Sequence, residues 1–304
     1  MNPVFKAGEE IPARPARIVG GQMKTPGCFL ASIAFVLWSA FAFAATYATV
    51  DFPGAISTEV LDINNFGVMV GFYSDRTNQH GFIDTNGAFS TLDDPDGSDT
   101  NALGINDLGE VVGQYQGNGR YNGFYYDGAT FTTINPPNST SSDLEKINNL
   151  GQMTGYYVDQ ASVQHAFEYD TTTQTFTTLD PPNAKFSGGN GINNLGWVVG
   201  TYDTDRANVE LTFVYRGGHF TNVPGLSVGL VLLGDINDSG EIVGAIYPPR
   251  SIEPHAFLYL NGKLSLFMYP GALDTGASGV NNAGVVVGGY SVVGSQPQGF
   301  IRTP

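Results

Sequence analysis

The chain has one cysteine, Cys28, and it lies in the N-terminal stretch. One thiol builds neither a disulfide nor a cysteine-ligated metal centre, so the fold must stand on its packed core. Basic side chains are scarce as well: 13 Lys and Arg stand against 28 Asp and Glu, a formal net charge of −15. Such a surface repels nucleic acid and anionic membrane, and neither is expected as a partner. Charged residues of both signs make up only 13% of the chain while 41% is hydrophobic, which is too apolar for a disordered polymer. After residue 45 no sustained i, i+3, i+4, i+7 apolar pattern occurs, so almost no helix is predicted there. The G-x-S-x-G, H-E-x-x-H, P-loop and dinucleotide-binding signatures are also missing. No cofactor is therefore expected, with calcium as the single alternative.

The N-terminal segment is apolar. Met23-Lys24-Thr25-Pro26-Gly27 is short and basic, Cys28 to Ala44 is almost wholly apolar, and it ends in Ala42-Phe43-Ala44. A basic start, an apolar middle and small residues before a cleavage point form the layout of a secretory signal peptide, cleaved before Ala45. An uncleaved anchor is the alternative, since this run is at the lower edge of membrane-spanning length. The organisation expected is a leader or mis-assigned start over residues 1–22, a signal peptide over 23–44 and one domain over 45–304. Removal of residues 1–44 leaves 9 basic and 26 acidic residues, a net charge of −17. The protein is expected to be secreted or periplasmic, free of the membrane after cleavage, and monomeric.

The rest of the chain is a repeat. The motif I-N-[ND]-x-G-x-x-x-G, with Val once for Ile, begins at Ile63, Ile105, Ile147, Ile192, Ile236 and Val280. Its first asparagines are spaced by 42, 42, 45, 44 and 44 residues. After the second glycine comes a short segment ending in Tyr73, Tyr115, Tyr157, Tyr202, Tyr247 or Tyr290. Next comes an x-[AGT]-F segment at Phe82, Phe124, Phe167, Phe213, Phe257 and Phe300, and then a Thr-rich strand such as Phe131-Thr132-Thr133. Asn-[Asn/Asp]-x-Gly is a tight turn between strands, because Asn and Asp cap turns and Gly accepts positive φ. Each copy thus predicts four short strands, and a four-stranded unit repeated every 40–50 residues or so has the spacing of a β-propeller blade. A lone blade cannot bury both faces, so the six must stack radially. Residues 46–53 read as an outer strand without a preceding repeat, and 299–302 as a third strand without a following one. The two halves predict an all-β, six-bladed propeller of four antiparallel strands per blade, closed by the N-terminal strand.

The sixfold I-N-x-x-G-x-x-x-G, with His-Ala-Phe at 165–167 and 255–257 and His80-Gly81-Phe82, resembles the bacterial HAF-repeat family of extracellular proteins. The resemblance implies an exported repeat protein and carries no activity with it. This chain ends at Thr303-Pro304 without a sorting tail, so secretion is expected rather than surface attachment.

Candidate sites follow from the topology. Outer-to-inner connections and second-to-third connections share one face, and the long dissimilar loops (74–80, 93–102, 116–122, 135–145, 158–165, 180–190, 203–210, 223–234, 248–255 and 291–298) all belong to it. The opposite face carries Asn-x-x-Gly turns and short hairpins. Variable loops on a rigid scaffold carry function, so a ligand site is expected on the long-loop face near the axis. The polar residues singled out there are Arg76, Arg120, Tyr121, Asp159, Arg206 and Arg250. Asp93, Asp96 and Asp99 form the densest acidic loop and could offer oxygens to Ca²⁺, although the loop lacks the full EF-hand pattern. The motif Asn and Gly residues read as turn formers, the tyrosines as inter-blade packing rather than a sugar platform, and the pre-Phe histidines as strand-entrance residues. Asn138-Ser139-Thr140 is a glycosylation sequon. Two functions stay open: a binding or scaffolding module for a glycan or protein, and a secreted glycan hydrolase or lyase using carboxylates near the axial channel.

Overall fold

The computed structural model describes residues 44–204, 210–226, 230–248 and 251–304. The predictions for residues 1–22 and for the body of the signal peptide lie outside them. Among the described residues every regular element is a strand, 24 in all, grouped into six four-stranded antiparallel sheets. Blade one runs outward through Ser57–Ile63, Val68–Ser74, Gln79–Thr85 and Ala88–Leu92. The inner strands of blades two to six are Ser98–Ile105, Ser141–Ile147, Phe186–Ile192, Val231–Ile236 and Asp274–Val280. Blade six takes its outer strand from Thr46–Val50, which pairs with Gln298–Thr303 from Thr46↔Thr303 to Val50↔Gly299. The expected closure is therefore present, three residues shorter than the sequence suggested because Pro53 and Gly54 turn the chain.

The motif explains the blade. Its first glycine, Gly67 in blade one, has φ of 80°, as the turn requires. Its second, Gly71, lies where a Cβ would meet both the Glu59 carbonyl and the ring of Phe82, 3.0 Å from Cε1. The six motif phenylalanines are completely buried, one per blade. Only glycine lets the inner strand, the second strand and that ring pack this closely. The motif tyrosines cross the third strand to reach the outer one: Tyr73 Oη lies 3.0 Å from Thr91 Oγ1, Tyr115 Oη 2.9 Å from Thr133 Oγ1 and Tyr290 Oη 2.9 Å from Thr49 Oγ1. Blade five departs from this scheme. Buried Ile246 pairs with His255 as Tyr73 pairs with His80, so Tyr247 falls one residue past the tyrosine position.

The ring is closed by two hydrogen-bond circuits on the turn face. Asn64 Nδ2 donates to the Asn106 carbonyl at 3.1 Å, Asn106 to Asn148 at 3.1 Å and Asn148 to Asn193 at 3.0 Å. Asn193 donates to Asn237 at 3.0 Å, Asn237 to Asn281 at 3.1 Å, and Asn281 back to Asn64 at 3.2 Å. The Oδ1 of each caps its own turn, as Asn64 Oδ1 does for the Phe66 and Val68 amides at 3.0 Å. At the next position the backbone N–H of Asn65, Asp107, Asn149, Asn194, Asp238 and Asn282 each donates to the side-chain Oδ1 of the following blade, at 2.8–2.9 Å. Reading these residues only as turn formers missed this second role. Asp107 also accepts from Asn65 Nδ2 and Asn149 Nδ2 at 2.8 and 2.7 Å. Burial works to raise the Asp107 pKa, but these donors outweigh it and hold the carboxyl below its ordinary range.

Two outcomes are expected. Asp107→Asn would set an amide NH₂ against two others and cost about 1–3 kcal/mol in urea unfolding at pH 7. Because the folded pKa is depressed, that difference should be present above about pH 4 and fade as the pH falls through the folded value. Deleting Thr46–Val50 would bare the edge of Gln298–Thr303, so the variant should unfold or oligomerise; a monomer with unchanged melting would contradict the closure.

Candidate functional site

Each inner strand carries a bulge one or two residues before the motif: the register shifts between Val60 and Asp62, Ala102 and Gly104, Leu144 and Lys146, Gly189 and Gly191, Leu233 and Ile236, and Ala277 and Gly279. A bulge re-aims a side chain. Here it turns Leu61, Leu103, Glu145, Gly234 and Ser278 toward the axis, where they wall a cavity of about 210 Å³ together with Leu232 and Leu233. Leu232 is 49% exposed, so the floor of this mouth is apolar and open.

The residue just before the motif forms a second ring: Asp62, Gly104, Lys146, Gly191, Asp235 and Gly279. Charged and glycine positions alternate because the strands crowd. A Cβ on Gly191 would sit 2.8 Å from Asp235 Oδ1, and one on Gly279 would sit 2.8 Å from Asp62 Oδ1. Lys146 crosses the axis. Its Nζ donates to the Leu61 and Leu103 carbonyls at 2.7 and 2.9 Å and lies 3.6 Å from Asp62 Oδ1. Asp62 accepts from the Ile63 and Ile105 amides at 2.8 and 2.9 Å. Lys146 lines both the 210 Å³ mouth and a cavity of about 50 Å³ among the motif asparagines, so it stands as a stopper between the two ends of the channel.

Three buried acceptors of the inner strands, Asn101 Oδ1, Asn190 Oδ1 and Asp235 Oδ1, have no hydrogen-bond donor, and of these residues Asp235 lines the smaller cavity. Burial raises the pKa of Asp235, and the Asp62 charge adds to it against the pull of Lys146. Burial also pushes Glu145 up to about 7, helped by Asp143 and opposed by Lys146. Asp143 is pushed up to about 6 by burial, with a Tyr156 hydrogen bond pulling it back. With its amide turned to donate, Gln114 Nε2 lies 2.8 and 3.0 Å from the two Asp143 oxygens. The mouth therefore holds one carboxyl, Glu145, raised toward neutrality beside apolar side chains.

Of the residues singled out from sequence, those described do not line the axial mouth. Arg120 donates from Nε to Asn122 Oδ1 at 3.0 Å and from Nη1 to the Ser139 carbonyl at 2.9 Å, tying two loops together. Asp159 Oδ1 accepts from the Ala161 and Val163 amides at 2.8 and 2.9 Å. Arg76 is an exposed loop residue, and Arg206 and Arg250 lie outside the described residues. Tyr121 is 43% exposed and close enough to Tyr156 to raise its pKa, which places it near the Asp143 group. In the acidic loop, Asp93 Oδ2 meets His80 Nδ1 at 2.9 Å, the Asp96 amide donates to Asp94 Oδ1 at 2.9 Å, and Asp99 Oδ1 accepts from the Gln79 amide at 3.0 Å. These groups point to separate partners, and among the described residues no three His, Cys, Asp or Glu come together to hold a metal ion. His80 stacks on Tyr73 at 5.1 Å between Asp93 and Asp75. His165 repeats this on Tyr157, 2.8 Å from Asp180 and 3.5 Å from Asp159. Both histidines pin adjacent loops of the long-loop face.

The sequence reasoning missed Asp62, Lys146 and Asp235, although aligning the repeats one column before the motif shows their alternation with glycine. It missed Asp143, Glu145 and Asn190 because a bulge breaks the two-residue period that tells inward from outward.

No family model matches the chain, and no curated protein matches it. Among solved structures it is similar to the Hadza microbial sialidase Hz136 at 13% identity and a TM-score of 0.53, over 85% of this chain and 68% of that one. It is also similar to a structure assigned as TolB from Agrobacterium tumefaciens (13%, 0.54, 69% and 79%) and to a mutant Aleuria aurantia lectin in complex with alpha-methyl-L-fucoside (10%, 0.50, 84% and 93%). At these identities the likeness is one of fold, and this fold serves binding proteins and enzymes alike.

The pKa of Glu145 gives a sign that can be checked. A carboxyl whose folded pKa is raised stabilises the native state below its unfolded value near 4.5 and loses that contribution as the pH rises through about 7. Glu145→Gln should therefore raise stability at pH 8 by about 2 kcal/mol and leave it nearly unchanged at pH 4, measured by denaturant unfolding at both values.

Proposed function

We propose that this protein is an exported member of the HAF-repeat family that binds a neutral glycan at the axial mouth of its long-loop face. The observation that carries this reading is the axial mouth itself, where the Glu145 carboxyl and Ser278 stand beside an apolar wall of leucines. A carboxyl near its pKa both gives and takes a hydrogen bond, as a sugar hydroxyl does. Leu61, Leu103, Leu232 and Leu233 offer the apolar face on which the C–H side of a pyranose packs. The volume of about 210 Å³ lies below the roughly 300–1,000 Å³ of clefts for drug-sized molecules, so one sugar ring is the expected occupant. The net charge of −15 disfavours anionic glycans. The neighbours include a lectin bound to a fucoside and a sialidase, which makes a carbohydrate a reasonable first ligand. Export rests on the leader-like segment of the sequence.

A second reading is glycan cleavage. It is favoured by the pKa values of Asp143 and Glu145, raised to about 6 and 7, since acid–base catalysis needs carboxyls poised near the working pH.

Calorimetric titration against a panel of neutral methyl glycosides and oligosaccharides tests both. Binding at the mouth predicts a saturable heat that weakens about tenfold or more in Glu145→Leu and Ser278→Leu. Cleavage predicts reducing-end release by the wild type that Glu145→Gln abolishes while binding persists. A panel without saturable heat, or variants that bind like the wild type, removes the glycan from this site.

A further inference from the structure

At the interface between neighbouring blades four positions meet, and one interface differs from its counterparts. Between blades one and two the four are Val68, Ile83, Tyr126 and Phe131; between blades four and five they are Trp197, Val214, Tyr259 and Leu264. The outer-strand position is phenylalanine in blades one to four, as Phe89, Phe131, Phe176 and Phe220, and becomes Leu264 in blade five. The residue after the turn glycine is Val, Glu or Gln in the other copies, and only here is it tryptophan. A groove of about 400 Å³ opens between blades four and five, lined by Trp197, Val214, Pro224, Ile242 and Tyr259, with Arg216 among its walls.

Arg216 is the charged residue among those lining this groove. Its guanidinium carbon lies 4.6 Å from the centre of the Trp197 ring, and it is exposed. Among the described residues no carboxylate pairs with it, in a chain where acids outnumber bases about two to one. An aromatic face orients a guanidinium and leaves its N–H edge free for a two-point contact with a carboxylate. The Tyr259 hydroxyl is already satisfied by the Pro224 carbonyl at 2.9 Å, and Thr221, Asn222 and Asn261 are uncharged polar residues in an otherwise mainly apolar lining. A mainly apolar cleft with one fixed charge selects a compact molecule with an apolar body and one opposite charge.

We propose that this groove is a second binding site, separate from the axial mouth, for a small apolar carboxylate such as a cycloalkyl, aryl or branched alkyl acid. The carboxylate meets Arg216, and the body lies along Trp197, Val214 and Tyr259.

The chain has two tryptophans, Trp38 and Trp197, so in a Trp38→Phe background Trp197 reports on the groove alone. The probe is 3-cyclohexylpropanoate, which does not absorb where tryptophan is excited, with 3-cyclohexylpropan-1-ol as its neutral counterpart. Emission and isothermal calorimetry are followed together. The expected result is saturable binding of the acid, about tenfold or more tighter than the alcohol, with that preference lost in Arg216→Gln. Val214→Phe should fill the groove and abolish binding, with the melting temperature checking that the variant folds. The axial variant Glu145→Gln should bind the acid as the wild type does. Absence of both a saturable emission change and a saturable heat would overturn the proposal. Equal affinity for the alcohol, or unchanged affinity in Arg216→Gln or Val214→Phe, would overturn it as well.

Discussion

Ring closure is the constraint on which everything else depends. Six sheets that cannot bury both faces alone must return to their starting point, and the motif asparagines make that return explicit. From Asn64 round to Asn281 each amide gives its Nδ2 hydrogen to the next blade's carbonyl, and the sixth bond ends where the first began. Since Oδ1 of the same residue caps its own turn, one side chain fixes both the hairpin within a blade and the angle to its neighbour. Asparagine alone among short side chains offers a donor and an acceptor in this geometry; aspartate lacks the donor.

The second circuit explains why the following position is Asp in two copies and Asn in the other four. Asp107 and Asp238 stand three blades apart, and each is flanked on both sides by asparagines whose Nδ2 groups it accepts. Six aspartates would repel one another without donors to quiet them, and six asparagines would crowd NH₂ groups together. The same crowding near the axis governs the ring just before the motif. There glycine precedes every charged residue, so Asp62, Lys146 and Asp235 have the room to turn inward.

Architecture was largely legible in the sequence because it is written six times. The spacing of the Ile-Asn motif, the buried phenylalanines and the split blade all stand in the structure where the repeat puts them. Tyr247 was misread because blade five shifts its aromatic by one residue, and pattern matching accepted the neighbour. The axial residues were harder. Glu145 is polar in a strand whose alternation would send it outward, and only the bulge after Leu144 turns it to the axis. Arg120 and Asp159 looked available as charged loop residues, yet the backbone groups they satisfy are visible only once the loops are folded. Function lives in such departures from the repeat, and a consensus suppresses them.

The closing pair has a mechanical consequence. Thr46 and Thr303 are register partners, so chain leading into the first strand and chain leading out of the last leave from the same end of one blade. Tension between those two points would separate the pair like a zip, one hydrogen bond at a time, rather than shear all its bonds together. The ring thus has a single seam, and a pull applied through the chain on either side would find it before it loaded any other blade.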